Sequence, residues 1–259
     1  MILDTIVEYK LEEVAERKRS TPLWELKAAL RDEAPVRHFT PAITRPPGAP
    51  VRIIAEVKKA SPSKGLIRAD FEPVEIARTY EANGASAISV VTDERFFRGS
   101  LCDLTDVKNA AALPVLRKDF IVDEYQIYES RAAGADAALL IVAILSPDEL
   151  RSYMEIADEL GLCCLVEVHN EREMKLAAKV GARVIGINNR DLKTFRVDTS
   201  TAVRLSKKAP QDAITVSESG IETRDDILSL TECGIHAALI GESLMRASDI
   251  GAKLRELLA

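Results

Sequence analysis

The feature that most constrains the fold of this chain is an alternation, from Val51 onward, of short apolar runs with longer amphipathic stretches. Strands followed by helices produce this pattern. The apolar runs, in chain order, are VRIIAEV, ASAISVV, PVLRKDF, AALLIV, LCCLVEV, ARVIGIN, AITVSES and HAALIG. Eight runs at roughly 25 residues per unit match the period of a closed parallel barrel. The sequence therefore predicts an α/β fold, a single (β/α)8 TIM barrel.

Glycine placement supports this count of units. Just before five of the predicted strands stands a glycine, which can end a helix in the left-handed conformation: Gly84, Gly134, Gly161, Gly181 and Gly234. An open doubly wound sheet also alternates strands with helices and remains the structural alternative. The chain contains neither GxGxxG nor GxxxxGK[ST], which weakens the nucleotide-binding form of that alternative.

Residues 1–50 lie outside the repeat. A first helix is predicted by apolar residues at near-helical spacing, namely Ile2, Ile6, Tyr9 and Val14. A second helix is predicted over PLWELKAAL, and the prolines clustered between residues 35 and 50 predict an irregular connector. Fifty residues make a poor core alone. We therefore expect residues 1–50 to be an N-terminal helical extension packed on the barrel, and residues 51–259 to form the catalytic barrel domain.

Composition excludes several classes of function. The 35 Lys and Arg against 41 Asp and Glu give a net charge of −6, and no basic, aromatic-rich run exists to bind nucleic acid. The longest apolar stretch, residues 137–145, is about half the length that a bilayer crossing requires. The first ten residues do not resemble a signal peptide. The four cysteines and three histidines show no metal-ligand spacing. We expect a cytoplasmic protein with no membrane partner and no metal.

Polar side chains stand where the predicted strands end, which is where parallel barrels place their active sites. The first strand ends with Glu56 and Lys58, two residues apart and so on one face. Later strands end in the polar residues Lys118, Glu167, Asn188, Arg190, Ser217, Glu218 and Ser219. Any one of these fits an ordinary solvated strand end, but lysines and glutamates converging on one barrel mouth indicate a site. The cations favour an anionic substrate, and the carboxylates beside them suit general acid and base catalysis.

Glycines after the last two predicted strands indicate a phosphate site. Gly220 and Gly241 each fit the start of a short helix that would present backbone N–H groups to an anion. Either glycine alone would indicate only a turn. Together, at the place where many barrels bind phosphate, they predict a phosphorylated substrate.

The chain resembles the indole-3-glycerol-phosphate synthase family in eight blocks, one for each strand and in the family's order: IAEVKKASPSKG, VVTDERFFRGS, PVLRKDFIVDEYQI, LLIVAIL, LVEVH, IGINNRDL, SESGI and LIGESLM. The resemblance implies a lyase of tryptophan biosynthesis. Such an enzyme converts 1-(2-carboxyphenylamino)-1-deoxyribulose 5-phosphate into indole-3-glycerol phosphate and releases carbon dioxide and water. It also implies a monomer that needs no cofactor.

The resemblance further implies roles for five catalytic residues. Lys118 is the general acid of ring closure, and Glu56 is the carboxylate expected to hold it. Glu167 is the general base and acid of the dehydration. Lys58 holds the substrate's carboxylate and phosphate and is a candidate second proton donor, so which lysine donates in each step stays open. Asn188 bonds the substrate hydroxyls or steadies Glu167.

The remaining implied roles concern substrate binding. Arg190 strengthens the anionic pocket and Ser219 orients the substrate. The groups expected around the phosphate are Lys58, Ser61 and the backbone amides of Gly220, Gly241 and Glu242. The side chain of Glu242 is expected to turn away, so that substitution there has little effect. The residues expected to line the slot for the aromatic ring are Pro62, Phe97, Phe120, Leu139, Leu192 and Ile240.

Three further points stay open at this stage. His169, in register with Glu167, fits a catalytic histidine or a packed one, and we expect the packed one. The long loop of residues 58–70 is expected to close over bound substrate. The rival functions are another phosphate-binding barrel enzyme, either an isomerase or an aldolase with a Schiff base on Lys118, and a non-catalytic phosphate-binding scaffold.

Overall fold

A computed structural model describes residues 2–30, 35–191 and 196–259. Its strands, in chain order, are β1 (Arg52–Val57), β2 (Ala60–Ser61), β3 (Gly65–Leu66), β4 (Ala87–Val91), β5 (Val115–Lys118), β6 (Ala137–Ile141), β7 (Cys163–Val168), β8 (Val184–Asn188), β9 (Ile214–Glu218) and β10 (Ala237–Ile240). Within the described residues, β2 and β3 form an antiparallel hairpin, and the other eight strands are parallel and close into a barrel. The predicted (β/α)8 barrel is confirmed.

Helices follow the strands as predicted. They are α1 (Ile2–Ser20), α2 (Leu23–Ala29), α3 (Phe39–Ile43), α4 (Pro73–Ala82), α5 (Glu94–Phe97), α6 (Leu101–Ala110), α7 (Tyr125–Ala132), α8 (Pro147–Glu159), α9 (Glu171–Lys179), α10 (Ser200–Ser206), α11 (Arg224–Glu232), α12 (Glu242–Arg246) and α13 (Ile250–Leu258). Local chemistry sets several of their starts, since Ser146 and Thr223 each close a capping box at the start of α8 and α11. None of the described helices is long and apolar enough to span a membrane.

Strand β1 illustrates how the barrel is filled. Ile53 and Ala55 point outward and pack under the surrounding helices, whereas Ile54 points inward and packs with residues of the other strands. Because side chains alternate along a strand, the next inward position after Ile54 is Glu56. The apolar interior thus gives way to a carboxylate at the end of the strand, which is where the barrel opens.

The N-terminal segment reaches both ends of the barrel. The predicted irregular connector contains the short helix α3, whose Phe39 and Ile43 are buried in the same cluster as the inward-facing strand residues. The Oγ1 atom of Thr40 lies 3.3 Å from the Sγ atom of Cys163, the first residue of β7. Helix α3 therefore covers the amino-terminal end of the barrel.

Helix α1 packs at the opposite end, through a residue that the apolar pattern did not indicate. Tyr9 is 37% exposed, whereas Lys10 is 1% exposed between Ile6 and Val14 on the buried face. The Nζ atom of Lys10 lies 3.0 Å from Asp119 and 3.1 Å from Asp93. These aspartates follow β5 and β4, so α1 is anchored to the carboxyl ends of the barrel strands.

Candidate active site

The carboxyl ends of the barrel strands surround a cavity of about 490 Å³. Leu192 lies outside the described residues. All the other residues predicted for the site line this cavity: Glu56, Lys58, Ser61, Pro62, Phe97, Lys118, Phe120, Leu139, Glu167, Asn188, Arg190, Ser219, Gly220, Ile240, Gly241 and Glu242. The fold therefore brings together residues from all eight barrel strands or the loops that follow them.

Lys118 occupies the floor of the cavity, at the end of β5. Its Nζ atom lies 3.0 Å from Oε2 of Glu167 and 3.4 Å from Oε2 of Glu218. Burial alone would lower the pKa of Lys118, but the charges of Glu167, Glu218 and Glu56 outweigh it and raise that pKa above the ordinary lysine value. Lys118 is therefore held as an ammonium group that points into the cavity.

Glu56 differs from the prediction that it holds Lys118. Its Oε1 atom pairs with Nζ of Lys58 at 2.5 Å, and the closest carboxylates to Lys118 belong to other strands. The reason is local, because Glu56 and Lys58 share one face at the end of β1. Gly241 makes room for this pair, since a Cβ atom there would overlap the Glu56 carboxylate.

Glu218 is the residue whose importance the sequence reasoning missed, although it was noted at a strand end. It is 2% exposed, and among the described residues Oε1 has no hydrogen-bond partner. Burial, with the neighbouring charges of Glu167 and Glu56, raises its pKa to about 8. A signal existed in the glycine inside β8, because a Cβ atom at Gly186 would overlap Oε1 of Glu218.

Glu167 has the opposite protonation state. Burial would raise its pKa, but Lys118 and His169 outweigh burial and hold it below the ordinary range. One lysine thus lies between an ionised glutamate and a glutamate that carries a proton near neutral pH. Two like groups whose pKa values are pushed apart are the arrangement that supplies one acid and one base.

The loops after β9 and β10 form the opposite side of the cavity. Gly241 precedes α12 as predicted, but Gly220 is followed by a loop, and α11 begins only at Arg224. Gly220 has a φ of +77°, and a Cβ atom there would overlap the side chain of Val197. Two constraints therefore favour glycine, the left-handed conformation and the close approach of a neighbouring loop.

Ser219, before Gly220, is held in the same conformation at a higher cost. Its φ is +67°, which is unfavourable for a residue with a side chain. Nδ2 of Asn189 donates a hydrogen bond of 2.9 Å to the Ser219 carbonyl, and Oδ1 of Asn189 accepts one of 2.9 Å from the amide of Ala202. Backbone strain that is fixed by surrounding contacts is common where a loop must meet a ligand.

The Glu242 side chain was expected to turn away from the anion, but Glu242 lines the cavity. Its carboxylate lies 3.5 Å from Arg190 and 3.4 Å from Lys64 of the β2–β3 loop, and it accepts a hydrogen bond of 3.1 Å from Arg246. Burial would raise the pKa of Glu242, but Lys64 and Arg246 outweigh it and lower that pKa. An ionised carboxylate therefore bridges the cations at the rim.

The predicted slot for an aromatic ring has an apolar wall. The rings of Phe97 and Phe120 lie with their centroids 6.0 Å apart. The carboxylate of Asp93, which also pairs with Lys10, caps α5 by accepting hydrogen bonds from the amides of Phe96 and Phe97. Helix α1 thus indirectly holds the segment that carries Phe97.

Among the described residues, no group of three or more His, Cys, Asp or Glu side chains is arranged to hold a metal ion. The expectation that the reaction needs no cofactor remains a prediction.

Asn188 is buried at the end of β8, where Oδ1 accepts a hydrogen bond of 2.9 Å from the Arg190 amide. Its side chain is therefore fixed by the turn that carries Arg190.

Proteins of known structure share the barrel fold of this chain. A 3-hexulose-6-phosphate synthase from Salmonella typhimurium superposes with a TM-score of 0.64 at 13% identity, covering 80% of this chain and 96% of that chain. One chain of the tryptophan synthase a2b2 complex from Pyrococcus furiosus gives a TM-score of 0.60 at 14% identity, covering 80% of this chain and 97% of that chain. At these identities the likeness shows the fold alone.

Sequence relatives are much closer. The indole-3-glycerol phosphate synthase of Dehalococcoides mccartyi (strain CBDB1) is 51% identical over 261 residues, which covers 100% of both chains. That of Caldanaerobacter subterraneus subsp. tengcongensis is 52% identical over 252 residues, covering 96% of this chain and 95% of the relative. The family model described as indole-3-glycerol phosphate synthase matches residues 3–257. This chain belongs to the indole-3-glycerol phosphate synthase family.

Proposed function

We propose that this protein catalyses the reaction of its family, the conversion of 1-(2-carboxyphenylamino)-1-deoxyribulose 5-phosphate into indole-3-glycerol phosphate. The observation that carries the proposal is the Lys118 ammonium between Glu167 and Glu218 on the floor of the cavity. Lys118 is a proton donor that lies beside one ionised carboxyl group, Glu167, and one protonated carboxyl group, Glu218. Ring closure and dehydration need these three kinds of group.

Ring closure joins the aromatic carbon that carries the carboxylate to the ketone carbon of the sugar. As this bond forms, the ketone oxygen takes a proton from Lys118 and becomes a hydroxyl group. The neighbouring carboxylates favour the ammonium form, and the apolar wall of Phe97 and Phe120 packs the ring against the reacting carbon. Cleavage of the bond to the carboxylate then releases carbon dioxide and restores the aromatic ring.

Dehydration removes the new hydroxyl group as water. Glu167, held ionised, takes a proton from the carbon beside the nitrogen. Lys118, protonated again, gives a proton to the hydroxyl, which leaves as water as the double bond of the indole forms. The proton that Lys118 gave up is replaced from solvent. Glu218, which holds a proton near neutral pH, is a second donor within reach of Lys118.

The other half of the cavity suits the glycerol phosphate end of the molecule. Lys58, Ser61 and the amides of Gly220, Gly241 and Glu242 are proposed to bind the phosphate. Arg190 is proposed to add positive charge, and Ser219 to orient the substrate. Glu242 bridges the rim cations when no anion is bound. Coulomb attraction of these cations to a multiply charged substrate would compete with that bridge.

Several features of the whole molecule belong to the same proposal. We propose that residues 1–50 are an extension of a catalytic barrel formed by residues 51–259. We also propose that the protein works as a cytoplasmic monomer on this small anionic substrate, without a cofactor. Sedimentation of the purified protein at micromolar concentration tests the monomer, since a dimer would sediment with twice the mass.

The rival Schiff-base aldolase is not favoured by the state of Lys118. A Schiff base requires a neutral amine, whereas the surrounding carboxylates favour the ammonium form. Borohydride treatment in the presence of a keto sugar phosphate therefore should leave Lys118 unmodified. A covalent adduct on Lys118 would support the aldolase.

Product fluorescence tests the proposed activity directly. Wild-type protein should generate the indole signal from the substrate, and Lys118→Met or Glu167→Gln should lower kcat by about a hundredfold or more, the size of effect typical of general acid and base groups. A matched control is Lys208→Met with Glu171→Gln, because these residues form a similar pair at 2.9 Å on the outer surface. Absence of signal from the wild type, or full activity of either site variant, would overturn the proposal.

A further inference from the structure

A chain of three side chains runs from the catalytic cavity to the first turn of α9. The Oε1 atom of Glu167 lies 3.2 Å from Nε2 of His169, and Nδ1 of His169 lies 3.0 Å from Oε2 of Glu173. Glu167 and His169 are two residues apart at the end of β7 and so share a face. His169 is absent from the lining of the cavity. Any effect of His169 on a bound substrate would therefore be transmitted through Glu167.

The outer member of this chain is fixed by its position in the helix. Asn170 caps α9 by accepting hydrogen bonds from the amides of Arg172 and Glu173, and its Nδ2 donates one of 2.6 Å to Oε1 of Glu173. Oε2 of Glu173 accepts a hydrogen bond of 2.7 Å from the His169 amide. Both carboxylate oxygens are thus engaged within one short segment. Glu173 presents a preorganised acceptor to the His169 ring.

The two oxygens of Glu167 consequently face different cations. Oε2 meets the ammonium of Lys118 at 3.0 Å, and Oε1 meets the ring of His169. The Nε2 atom is buried and makes no hydrogen bond with any described residue, so its 3.2 Å contact with Oε1 is a contact between charges. If the ring were absent, Oε1 would lose its charged neighbour, and the carboxylate could rotate about Lys118.

We propose that His169, held by Glu173, is a positioning residue that fixes the orientation of Glu167 and keeps it ionised through the reaction. This rests on the proposed function of Glu167 as the base of the dehydration. When Lys118 gives up its proton to substrate, Glu167 loses its cationic partner. His169 supplies the second positive charge at that moment, so that Glu167 does not take a proton before its own step.

The protonation state of His169 follows from the groups that face it. Burial would lower its pKa, but the carboxylates of Glu167 on β7 and Glu173 on α9 outweigh burial and raise that pKa to about 10. Lys118 of β5 reaches this group only from the far side of Glu167. Both ring nitrogens therefore carry protons at neutral pH.

Nuclear magnetic resonance of the ring nitrogens tests this state without any catalytic assay. The chain has three histidines, so the signals can be assigned with single variants. We expect His169 to remain doubly protonated through pH 8. His236, at the opposite end of the barrel, has its pKa lowered by burial and by the charge of Arg45, and it should lose its proton at lower pH. Titration of His169 at or below the ordinary histidine value would overturn the proposal, whether or not the protein is a synthase.

Kinetics of three variants test the effect on Glu167. His169→Leu should lower kcat about tenfold or more with little change in KM, and should move the acidic limb of the kcat profile up by about one pH unit, because an adjacent cation lowers the pKa of a carboxyl group by that amount or more. His169→Gln keeps a neutral donor near Oε1 and should recover part of kcat but not the limb. Glu173→Gln should also move the acidic limb of the kcat profile to higher pH, but by less than His169→Leu does.

His236→Gln is the matched control, and it should change neither kcat nor the limb. A purely structural role for His169 would lower the melting temperature and reduce kcat equally at every pH. That outcome, or an unmoved acidic limb in His169→Leu, would refute the positioning role. If the wild type made no product, the proposed function would fail while the titration still decided the state of His169.

Discussion

Replacement of Lys10 by methionine tests how the N-terminal helix supports the barrel mouth. Lys10 is 1% exposed and lies 3.1 Å from Asp93 and 3.0 Å from Asp119, which are themselves 1% and 3% exposed. Methionine keeps most of the side-chain volume and removes the charge. The substitution therefore leaves two buried aspartates with one fewer cation between them.

The loss in the free energy of unfolding caused by Lys10→Met follows from the partners that the two aspartates keep. Removing one member of a buried ion pair typically costs about 3–5 kcal/mol, because the other charge stays buried. Asp119 keeps Arg117 at 3.0 Å and the Thr92 hydroxyl at 2.7 Å, whereas among the described residues Asp93 keeps the backbone amides of Phe96 and Phe97 and no second cation. We therefore expect the lower part of that range, about 3 kcal/mol, which for a chain of this size lowers the melting temperature by about 6–12 °C.

The pH dependence identifies the electrostatic origin of the loss. Burial would raise the pKa of Asp119, but Arg117 and Lys10 outweigh it and lower that pKa. A lowered carboxyl pKa stabilises the fold above the unfolded value, about 3.9, and this contribution disappears as the pH falls through the folded pKa. The difference in stability between wild type and Lys10→Met should therefore be full at pH 7, begin to narrow below about pH 4, and close only as the pH falls towards the folded pKa of Asp119.

Urea denaturation at pH 7 and at about pH 2.5, well below the unfolded aspartate value, measures both the loss of stability and its narrowing in acid. Lys18→Met is the matched control, because Lys18 lies on the same helix and pairs with Asp123 at 2.7 Å while remaining 42% exposed. It should cost less than about 1 kcal/mol. A loss of less than about 1 kcal/mol for Lys10→Met, or a loss that does not narrow in acid, would refute the reasoning.

Three further outcomes are expected. Gly186→Ala places a methyl group where Oε1 of Glu218 lies, so kcat should fall about tenfold or more, equivalent to about 1.4 kcal/mol of barrier; an unchanged kcat would exclude Glu218 from the reaction. Glu242→Gln removes a negative charge beside Arg190, so KM for the anionic substrate should fall by about two- to threefold at low salt and match the wild type at about 0.5 M salt. Equal KM values at low salt would contradict that. Deuterium exchange of the amides of residues 58–70 should slow when indole-3-glycerol phosphate is added, and unchanged rates would mean that the loop does not close.

The barrel was predictable because its signal is repeated. Eight apolar runs, separated by amphipathic stretches, leave few other folds, and errors at single positions do not alter the period. The strand ends were predictable for the same reason, since a charged residue such as Lys118 or Glu167 at the end of an apolar run interrupts a strong pattern. Position along the chain was enough to collect these groups at one end of the barrel.

Pairing between the collected groups was not predictable. Whether Lys118 meets Glu56 or Glu218 depends on the twist and stagger of the strands, which the sequence does not state directly. The burial of Lys10 had a local signal, because it stands at i+4 from Ile6 and i−4 from Val14. A lysine in an apolar stripe either interrupts the buried face of the helix or has a buried partner of opposite charge. The partners of Lys10 are Asp93 and Asp119, about 80 and 110 positions away in the chain.

The three glutamates of the cavity illustrate why roles follow from contacts and not from residue type. Glu56 has a cation of its own in Lys58, and Glu167 has two, Lys118 and His169. Glu218 shares Lys118 with Glu167 at the longer distance, and its buried Oε1 atom has no hydrogen-bond partner among the described residues. The carboxyl group with the weakest cationic support is therefore the one that retains a proton, because burial penalises its charge and too little compensates. The sequence shows only that a glutamate stands at the end of each of these strands. The distribution of the three cations, Lys58, Lys118 and His169, among the three glutamates determines which glutamate is the base and which is the acid.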